Sequence, residues 1–340
     1  MSAQLVIDNI KLDATGGKTI QRLDPVSAKL VSTAAACTLE DAKRLAASSE
    51  RAFRKWSKTG PTERRRLLLA AADVLEAKMS EFCRIMAEEI GASQLWAQFN
   101  VGASANLLRE AAALTTQITG ETIPTDKLGA FSLTLRQPVG TVLSIVPWNG
   151  PVILGARAIA YPLACGNTVI FKGSENSPRT HALVADAFIE AGLPAGVLNF
   201  LITAPEDASA VTEALVAHDT VRRVNFTGST KVGRMIAETC ASHLKRCLLE
   251  LGGKAPFVVL EDADIDGAVN AAVFGSFLYQ GQICMSTERF VVDQRVADEF
   301  VSKFSERIGK LELGDPTASP TCVVGPVIAQ GSVKRINHLI

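Results

Sequence analysis

The sequence has no excess of charge of either sign, since 35 lysine and arginine residues balance 35 aspartate and glutamate residues. A chain without net charge has no general attraction for nucleic acid or for an anionic membrane surface. It also has no unbroken apolar run of membrane-spanning length, because Arg157, Pro162 and Asn167 interrupt the most apolar stretch, residues 151–171. We expect a globular protein with neither kind of partner, and its 340 residues fit two domains better than one core.

Cysteine is present but follows no pairing pattern. The seven cysteines are scattered and form no CxxC motif, so we expect neither a disulfide framework nor a zinc site. The N-terminus has no basic start followed by an apolar segment, as a secretory signal would have. The simplest interpretation is a cytoplasmic protein without a bound metal. The four histidines lie in no motif, so a hydrolase with a Cys–His pair would lack its base.

The order of the predicted elements indicates an α/β fold. Apolar residues at helical spacing predict a helical first third, with one helix from Pro61 to residue 90 and another near Trp96 to Thr116. Alternation over residues 131–137 predicts a strand. Between residues 140 and 250, buried strands alternate with helices, which is typical of βαβ units in a parallel sheet. The alternation restarts after residue 254 and predicts a second α/β domain.

Two segments at predicted strand ends contain residue types that bind a dinucleotide. In FTGSTKVG (226–233), Gly228 lets a backbone come close, and Ser229 lies at a helix N-terminus that favours a phosphate. By itself this segment is more typical of a turn and a helix cap. In FKGSENSP (171–178), Lys172 and Glu175 suit ribose hydroxyls, and Glu175 would repel a 2′-phosphate. By itself this segment is explained better by a solvated Lys–Glu pair.

Three further segments carry groups suited to covalent chemistry. VPWNG (146–150) places the Asn149 amide at a strand end, where it either binds an oxyanion or caps the next helix. LLELGGK (248–254) places Glu250 beside two glycines, in an apolar setting that favours a base over a solvated turn residue. GQICMSTERF (281–290) places Cys284 in a polar turn, whereas most lone cysteines are buried.

In this order and spacing, PWN, KGSE, FTGSTKVG, LELGGK and GQICMSTERF resemble the aldehyde dehydrogenase superfamily, and Cys284 follows Glu250 by 34 residues, as in the family pattern. The resemblance runs from the N-terminal helices to Ile340 and is strongest to the salicylaldehyde, vanillin and benzaldehyde dehydrogenase group. It implies a Rossmann-type NAD domain, an oligomerisation strand and a second, incomplete α/β catalytic domain. The implied boundaries are 1–122 for the helical part of the NAD domain, 123–137 for the strand, 138–250 for the dinucleotide-binding part and 251–340 for the catalytic domain.

The resemblance also implies a role for each matching residue. Cys284 is the nucleophile, Glu250 activates the deacylating water, and the Asn149 side chain holds the oxyanion together with the backbone N–H of Cys284. Lys172 and Glu175 bind the adenine ribose of NAD, which Glu175 favours over NADP. The full set of implied cofactor-binding residues is Val146, Trp148, Lys172, Glu175, Gly228, Ser229, Val232, Gly233 and Leu251.

Two departures from the family pattern accompany these roles. Gly173 replaces the proline that is common after the lysine. Family members are also longer, so the resemblance implies that the part that closes the catalytic domain is absent here. We therefore expect weak or no turnover from a protein that ends at Ile340, and a homodimer or homotetramer for a full-length family member.

The substrate hypothesis rests on Gly150, where most of the family has a bulkier residue. A glycine there would leave space beside Asn149 for a flat aromatic aldehyde, and Arg157 would lie on the same helix face to attract a phenolate. Alternatively, Arg157 pairs with a carboxylate between domains. Trp96 would form another wall, and the implied substrate residues also include Ile283 and Met285.

Three functions are compatible with these motifs. The leading hypothesis is NAD-dependent oxidation of an aromatic aldehyde. The alternatives are acyl transfer or ester hydrolysis without NAD, and a truncated, non-catalytic fragment that binds NAD or a partner.

Overall fold

The computed structural model describes residues 2–319 and 321–340. The first 35 residues contain five strands: β1 (Ser2–Ala3), β2 (Leu5–Ile7), β3 (Ile10–Leu12), β4 (Thr19–Leu23) and β5 (Leu30–Ala35). The prediction of a helical first third is therefore wrong for this segment. Strands β1, β5 and β4 form a small sheet, whereas β2 and β3 extend the main sheet. Strands β1, β2 and β3 have only two or three residues, which is too short to show an alternating pattern, whereas β4 and β5 have five and six.

Four helices follow these strands: α1 (Leu39–Trp56), α2 (Pro61–Ala77), α3 (Met79–Ile90) and α4 (Gln94–Leu114). Thr38 and Asp41 form a capping box that begins α1, and Pro61 occupies the first turn of α2. The single helix predicted from Pro61 to residue 90 is divided at Lys78 into α2 and α3. Gly91 ends α3 in the left-handed conformation, with φ of 61°. The helix predicted near Trp96 is confirmed as α4.

The parallel strands of the main sheet are β8 (Thr141–Ile145), β9 (Thr168–Lys172), β10 (Leu198–Leu201), β11 (Val221–Gly228) and β12 (Arg246–Leu251). Together with β2 and β3 they form seven strands in the order β12-β11-β8-β9-β10-β2-β3. The predicted parallel sheet is confirmed, and β2 and β3 add two antiparallel strands at one edge. The intervening helices are α5 (Pro151–Ala164), α6 (Pro178–Glu190), α7 (Ala208–Ala217) and α8 (Thr230–Ser242).

Helices cover both faces of the main sheet. One buried cluster joins the sheet to α2, α4, α5 and α6 and contains Leu75, Leu108 and Ile159. A second joins it to α1, α7 and α8 and contains Leu45 and Leu215. The inner strands are thus shielded from water on both faces, as a parallel sheet requires, whereas the edge strand β12 keeps one face exposed, with Leu248 58% exposed.

The last ninety residues form a smaller α/β unit. Strands β13 (Ala255–Val259) and β14 (Thr287–Val292) pair in parallel, and the unit's helices are α9 (Ile265–Phe277), α10 (Ala297–Ile308) and α11 (Gln330–Leu339). Its own core contains Val259, Val269 and Phe300. In the described parts of the chain, no helix has the length and apolarity that crossing a bilayer requires.

The strand predicted over residues 131–137 is confirmed only at Ser132–Leu133. This two-residue strand, β7, pairs with β6 (Thr122–Ile123). The rest of the alternating segment is irregular, and Phe131 and Leu135 are 89% and 75% exposed. Alternation alone does not produce a strand where the backbone lacks a partner to pair with. The domain boundaries at 122, 137 and 250 stay predictions.

Candidate active site

A cleft of about 480 Å³ opens where the main sheet meets the C-terminal unit. Its walls come from the ends of β8, β11 and β12, from the turn before β14, and from one face of α11. The predicted residues that line it are Trp148, Asn149, Arg157, Gly228, Ser229, Glu250, Leu251, Ile283 and Cys284. The three groups assigned to covalent chemistry therefore share one cavity, although they are distant in sequence.

Cys284 lies in an exposed turn at this cleft. The turn is closed by a hydrogen bond from the backbone N–H of Ser286 to the carbonyl of Ile283, 3.0 Å. By contrast, burial raises the pKa of Cys37 to about 12 and that of Cys240 to about 11, which suppresses their thiolates. Cys165 is the other exposed cysteine among the described residues, and it lies outside this cleft.

Asn149 is held through its side chain and through its backbone. Its amide Nδ2 donates to the carbonyl oxygen of Gln282 at 2.9 Å, and its own backbone carbonyl accepts from the indole Nε1 of Trp96 at 2.8 Å. An amide NH₂ group has two donors, so the contact with Gln282 leaves one N–H for another acceptor. The link also joins the loop after β8 to the turn that carries Cys284.

Glu250 lies near the end of β12, paired in register with Thr227 of β11. Its side chain is exposed, whereas Leu249 and Leu251 are half-buried on the opposite face of the strand. The expected apolar setting is therefore wrong, because strand alternation turns the flanking leucines away from the carboxylate. The carboxylate faces the solvent of the cleft, where water is available to it.

The glycines at the end of β11 and in the first turn of α8 allow close packing beside the cleft. A Cβ atom at Gly228 would lie 2.6 Å from the ring of Phe226, and one at Gly233 would lie 2.6 Å from Leu251 Cδ2. Ser229 caps α8, since its hydroxyl accepts from the backbone N–H of Val232 at 3.3 Å. The cap that the sequence suggested is thus present, at a helix N-terminus on the cleft that also suits a phosphate.

Lys172 and Glu175 lie at the end of β9, beyond the walls of the cleft. The Lys172 carbonyl accepts from the backbone N–H of Val146 at 3.2 Å, which connects β9 to the loop after β8. Lys172 is only 7% exposed, and burial lowers its pKa while Glu175 opposes that shift. A fully solvated Lys–Glu pair is therefore excluded. Glu175 is half-buried, and its carboxylate accepts from Ser174 Oγ at 3.4 Å.

His181 supports the loop after β9, a role that the sequence analysis did not predict. Its Nδ1 accepts from the backbone N–H of Ser174 at 3.0 Å. A Cβ atom at Gly173 would lie 2.9 Å from the Cβ and Nδ1 of His181, so the glycine that replaces the family's proline makes room for the imidazole. Burial, assisted by the positive charge of Lys172, lowers the pKa of His181 to about 3. The only sequence signal is a histidine in the first turn of the following helix.

The comparisons with known proteins agree with this arrangement. The family model described as "Aldehyde dehydrogenase family" matches residues 12–340. The chain belongs to the aldehyde dehydrogenase family. This finding confirms the resemblance, the α/β fold and an oxidoreductase of this family. Members of the family use NAD or NADP, and the similar proteins support oxidation of an aromatic aldehyde.

Several of the similar proteins are named for an aromatic aldehyde that they oxidise. A salicylaldehyde dehydrogenase of Pseudomonas putida is 58% identical over 339 residues, which cover 100% of this chain and 70% of the relative. A vanillin dehydrogenase of Pseudomonas fluorescens is 51% identical over 340 residues, with the same coverage. The crystal structure of a salicylaldehyde dehydrogenase from Pseudomonas putida G7, complexed with salicylaldehyde, superposes with a TM-score of 0.99 at 57% identity, covering 100% of this chain and 70% of that one.

Two of the predicted substrate residues of this aldehyde dehydrogenase lie differently from expectation. Gly150 is buried, and a Cβ atom there would lie 3.2 Å from Ile153 Cγ2 and 3.4 Å from Asn100 Oδ1. The absent side chain therefore does not open space, because its neighbours have closed around it. Trp96 is 4% exposed and packs behind Asn149, so it supports the cleft instead of forming its wall.

The other substrate residues differ in their access to the cleft. Arg157 lines the cleft, and its Nη2 donates to Thr227 Oγ1 at 3.2 Å. Its observed partner is thus a hydroxyl and not a carboxylate from the second unit. Ile283 lines the cleft beside Cys284, whereas Met285 is 71% exposed and lies outside the cleft walls.

Proposed function

We propose that this chain oxidises an aromatic aldehyde of the salicylaldehyde type to the carboxylic acid, with NAD, through covalent attachment to Cys284. The observation that supports this proposal is that Cys284, Glu250 and Asn149 line a single cleft. A thiol, a carboxylate and an amide donor are the groups that a covalent route through a thioester requires. The capped N-terminus of α8 at the same cleft fits a dinucleotide phosphate.

In the first half of the reaction, the Cys284 thiolate adds to the aldehyde carbon and forms a thiohemiacetal. The remaining N–H of the Asn149 amide and the backbone N–H of Cys284 stabilise the oxyanion. Collapse of this oxyanion expels a hydride and leaves a thioester on sulfur. NAD, when bound, supplies the hydride acceptor.

In the second half, Glu250 removes a proton from water, and the resulting hydroxide attacks the thioester. The exposed position of Glu250 supports this role, because its carboxylate has access to water. The carboxylic acid leaves, and Cys284 returns as the thiolate. Both halves therefore use the same sulfur and the same oxyanion site.

A test of this function follows NADH absorbance after mixing the chain with salicylaldehyde and NAD. The assay uses single-turnover conditions, which detect NADH even if the enzyme turns over slowly. The Cys284→Ala variant is expected to produce no NADH. Cys165→Ala, which removes the other exposed thiol, is expected to react like the wild type. Equal NADH formation by both variants would contradict the covalent role of Cys284.

The preference for NAD over NADP is proposed from the acidic loop after β9. A 2′-phosphate on the adenine ribose would meet the carboxylate of Glu175. Glu175→Gln removes this repulsion and is expected to raise kcat/KM for NADP relative to NAD by about tenfold, the equivalent of about 1.4 kcal/mol. An unchanged ratio of the two kcat/KM values would remove Glu175 from cofactor discrimination.

Recognition of a phenolic oxygen is proposed for Arg157. Its guanidinium is half-buried on the cleft and donates one hydrogen bond to a hydroxyl, which leaves donors for a second oxygen. Arg157→Ala is expected to lower kcat/KM more for salicylaldehyde, which has an ortho hydroxyl, than for benzaldehyde. Equal losses for the two aldehydes would show that Arg157 has no role in recognising the hydroxyl.

We further propose that the enzyme acts in the cytoplasm as a homodimer or homotetramer, as expected from the family. Sedimentation of the purified protein measures its mass in solution. A monomer at every concentration tested would contradict this expectation for the chain.

A further inference from the structure

The turn that precedes Cys284 has an unusual backbone. Tyr279, Gln280 and Gly281 are consecutive residues with positive φ, of 48°, 56° and 67°. Residues other than glycine disfavour the left-handed region of positive φ, so such a run persists only where surrounding contacts fix it. Tyr279 provides one such contact: it is fully buried, and its hydroxyl donates to the carbonyl of Ile90 at 2.8 Å. The nucleophile thus follows a turn that is fastened to the first domain.

Gln282 connects this turn to two other segments. Its backbone N–H donates to the carbonyl of Tyr279 at 3.0 Å, which closes the left-handed turn. Its side-chain Oε1 accepts from the backbone N–H of Ile328 at 2.9 Å. Its carbonyl oxygen accepts from Asn149 Nδ2 at 2.9 Å. One residue therefore touches the turn, the segment before α11 and the oxyanion amide.

The anchor at Ile328 is itself held from the opposite side. The buried guanidinium of Arg22 donates through Nη2 to the carbonyl of Ile328 at 3.2 Å and through Nε to the carbonyl of Glu89 at 2.7 Å. Arg22 belongs to β4, and Glu89 to the last turn of α3. The support of Gln282 thus extends into the packed interior of the first domain.

We propose that Gln282 is a positioning residue for the reaction, acting through Asn149. Its side chain, bound to Ile328, fixes the carbonyl that occupies one N–H of the Asn149 amide and so directs the second N–H to the oxyanion on the carbon bound to Cys284. This inference rests on the proposed covalent role of Cys284. It requires only acyl chemistry at the sulfur, so it is testable without NAD.

Gln282→Met is the main variant, since it keeps the length of the side chain and removes both amide atoms. Gln280→Met is the matched control: Gln280 also donates to the 326–328 segment, at 3.0 Å to the carbonyl of Pro326, but its carbonyl is not the one that binds Asn149. We expect kcat to fall about tenfold in Gln282→Met with little change in KM, because the amide acts on the transition state. Gln280→Met is expected to keep kcat within about threefold.

A double-mutant cycle with Asn149→Ala separates positioning from general loosening of the fold. If Gln282 acts through Asn149, Gln282→Met is expected to cost nothing further in the Asn149→Ala background. The readout is cleavage of p-nitrophenyl acetate, which uses the thiol and the oxyanion site without a hydride acceptor. Should Gln282→Met fail to fold, Gln282→Asn serves instead, because it keeps the amide but is too short to reach Ile328.

The outcomes distinguish this inference from the proposed function. Ester cleavage that depends on Cys284 without aldehyde oxidation would refute the dehydrogenase proposal and leave the positioning role testable. Additive losses with Asn149→Ala would overturn the inference. It would also be overturned by equal losses in Gln282→Met and Gln280→Met, by unchanged kcat in Gln282→Met, or by the absence of any Cys284-dependent ester cleavage.

Discussion

His181 gives the protein a pH-dependent stability that can be calculated from its surroundings. The imidazole is buried, its Nδ1 accepts a hydrogen bond from the backbone N–H of Ser174, and its pKa is lowered to about 3 from a usual 6.5. The folded protein therefore keeps His181 neutral over the range in which the unfolded chain protonates it. Since the unfolded state binds more protons between pH 6.5 and about 3, stability is fully present above pH 6.5 and falls as the pH drops through this window.

The size of the effect follows from the two pKa values. Each pH unit below 6.5 costs about 1.4 kcal/mol until the folded pKa is approached. Acidification from pH 8 to pH 5 should thus remove about 2 kcal/mol of folding free energy through His181 alone. His181→Asn places an amide oxygen near the position of Nδ1, so it keeps an acceptor for Ser174 and removes the titrating group.

Urea unfolding of both proteins at several pH values from 5 to 8 measures this difference. The variant is expected to be less stable at pH 8, because the smaller side chain leaves a cavity, but its decline towards pH 5 should be about 2 kcal/mol smaller. His243→Asn, which replaces an exposed imidazole, serves as the control and should decline like the wild type. A variant at position 181 with the full wild-type decline would refute the reasoning.

Two further predictions concern contacts beside the cleft. Trp96→Phe removes the indole N–H that donates to the carbonyl of Asn149. We expect the free energy of unfolding to fall by about 1–3 kcal/mol and kcat to fall as well. Unchanged values of both would show that this hydrogen bond is dispensable. Gly233→Ala places a methyl 2.6 Å from Leu251 Cδ2; because that atom ends a flexible, half-buried side chain that can shift, we expect about 1 kcal/mol of destabilisation. Gly102→Ala, on a helix with open space around its Cβ, should be neutral or stabilising by up to about 1 kcal/mol in the same thermal unfolding experiment, and a similar loss in both glycine variants would argue against the steric cause.

Sequence patterns predicted the strands and helices whose own residues carry a clear local pattern. Strands and helices from residue 140 to residue 250 carry long apolar runs and clear helical spacing, and the parallel sheet built from them is confirmed. Three of the N-terminal strands escaped detection because they have only two or three residues, and β2 also pairs with a strand that is far away in sequence: Val6 pairs with Phe200. The segment 131–137 shows the opposite error, since its alternation is strong but only Ser132–Leu133 finds a partner strand.

The site shows a similar division between local pattern and tertiary surroundings. Motif order placed Cys284, Glu250 and Asn149 together, and the structure finds them in one cleft. The interpretation of Gly150 failed because a missing side chain creates space only where neighbours do not fill it, and Ile153 does so at 3.2 Å. Volume at a site is a property of the whole packing arrangement, which a motif does not contain.

The strand register explains why some of the proposed catalytic groups were easier to place than others. In the parallel sheet, Ile145 pairs with Phe226 and Thr227 pairs with Glu250, so residues that follow β8, β11 and β12 necessarily emerge at one edge. Cys284 has no such guarantee, because it follows a left-handed turn outside the main sheet. Its position depends on long-range contacts of that turn, above all those of the Tyr279 hydroxyl with the carbonyl of Ile90 and of the Gln282 side chain with the backbone N–H of Ile328. A motif does not contain these distant partners, so the sheet edge was predictable from motifs, whereas the support of Cys284 required the three-dimensional structure.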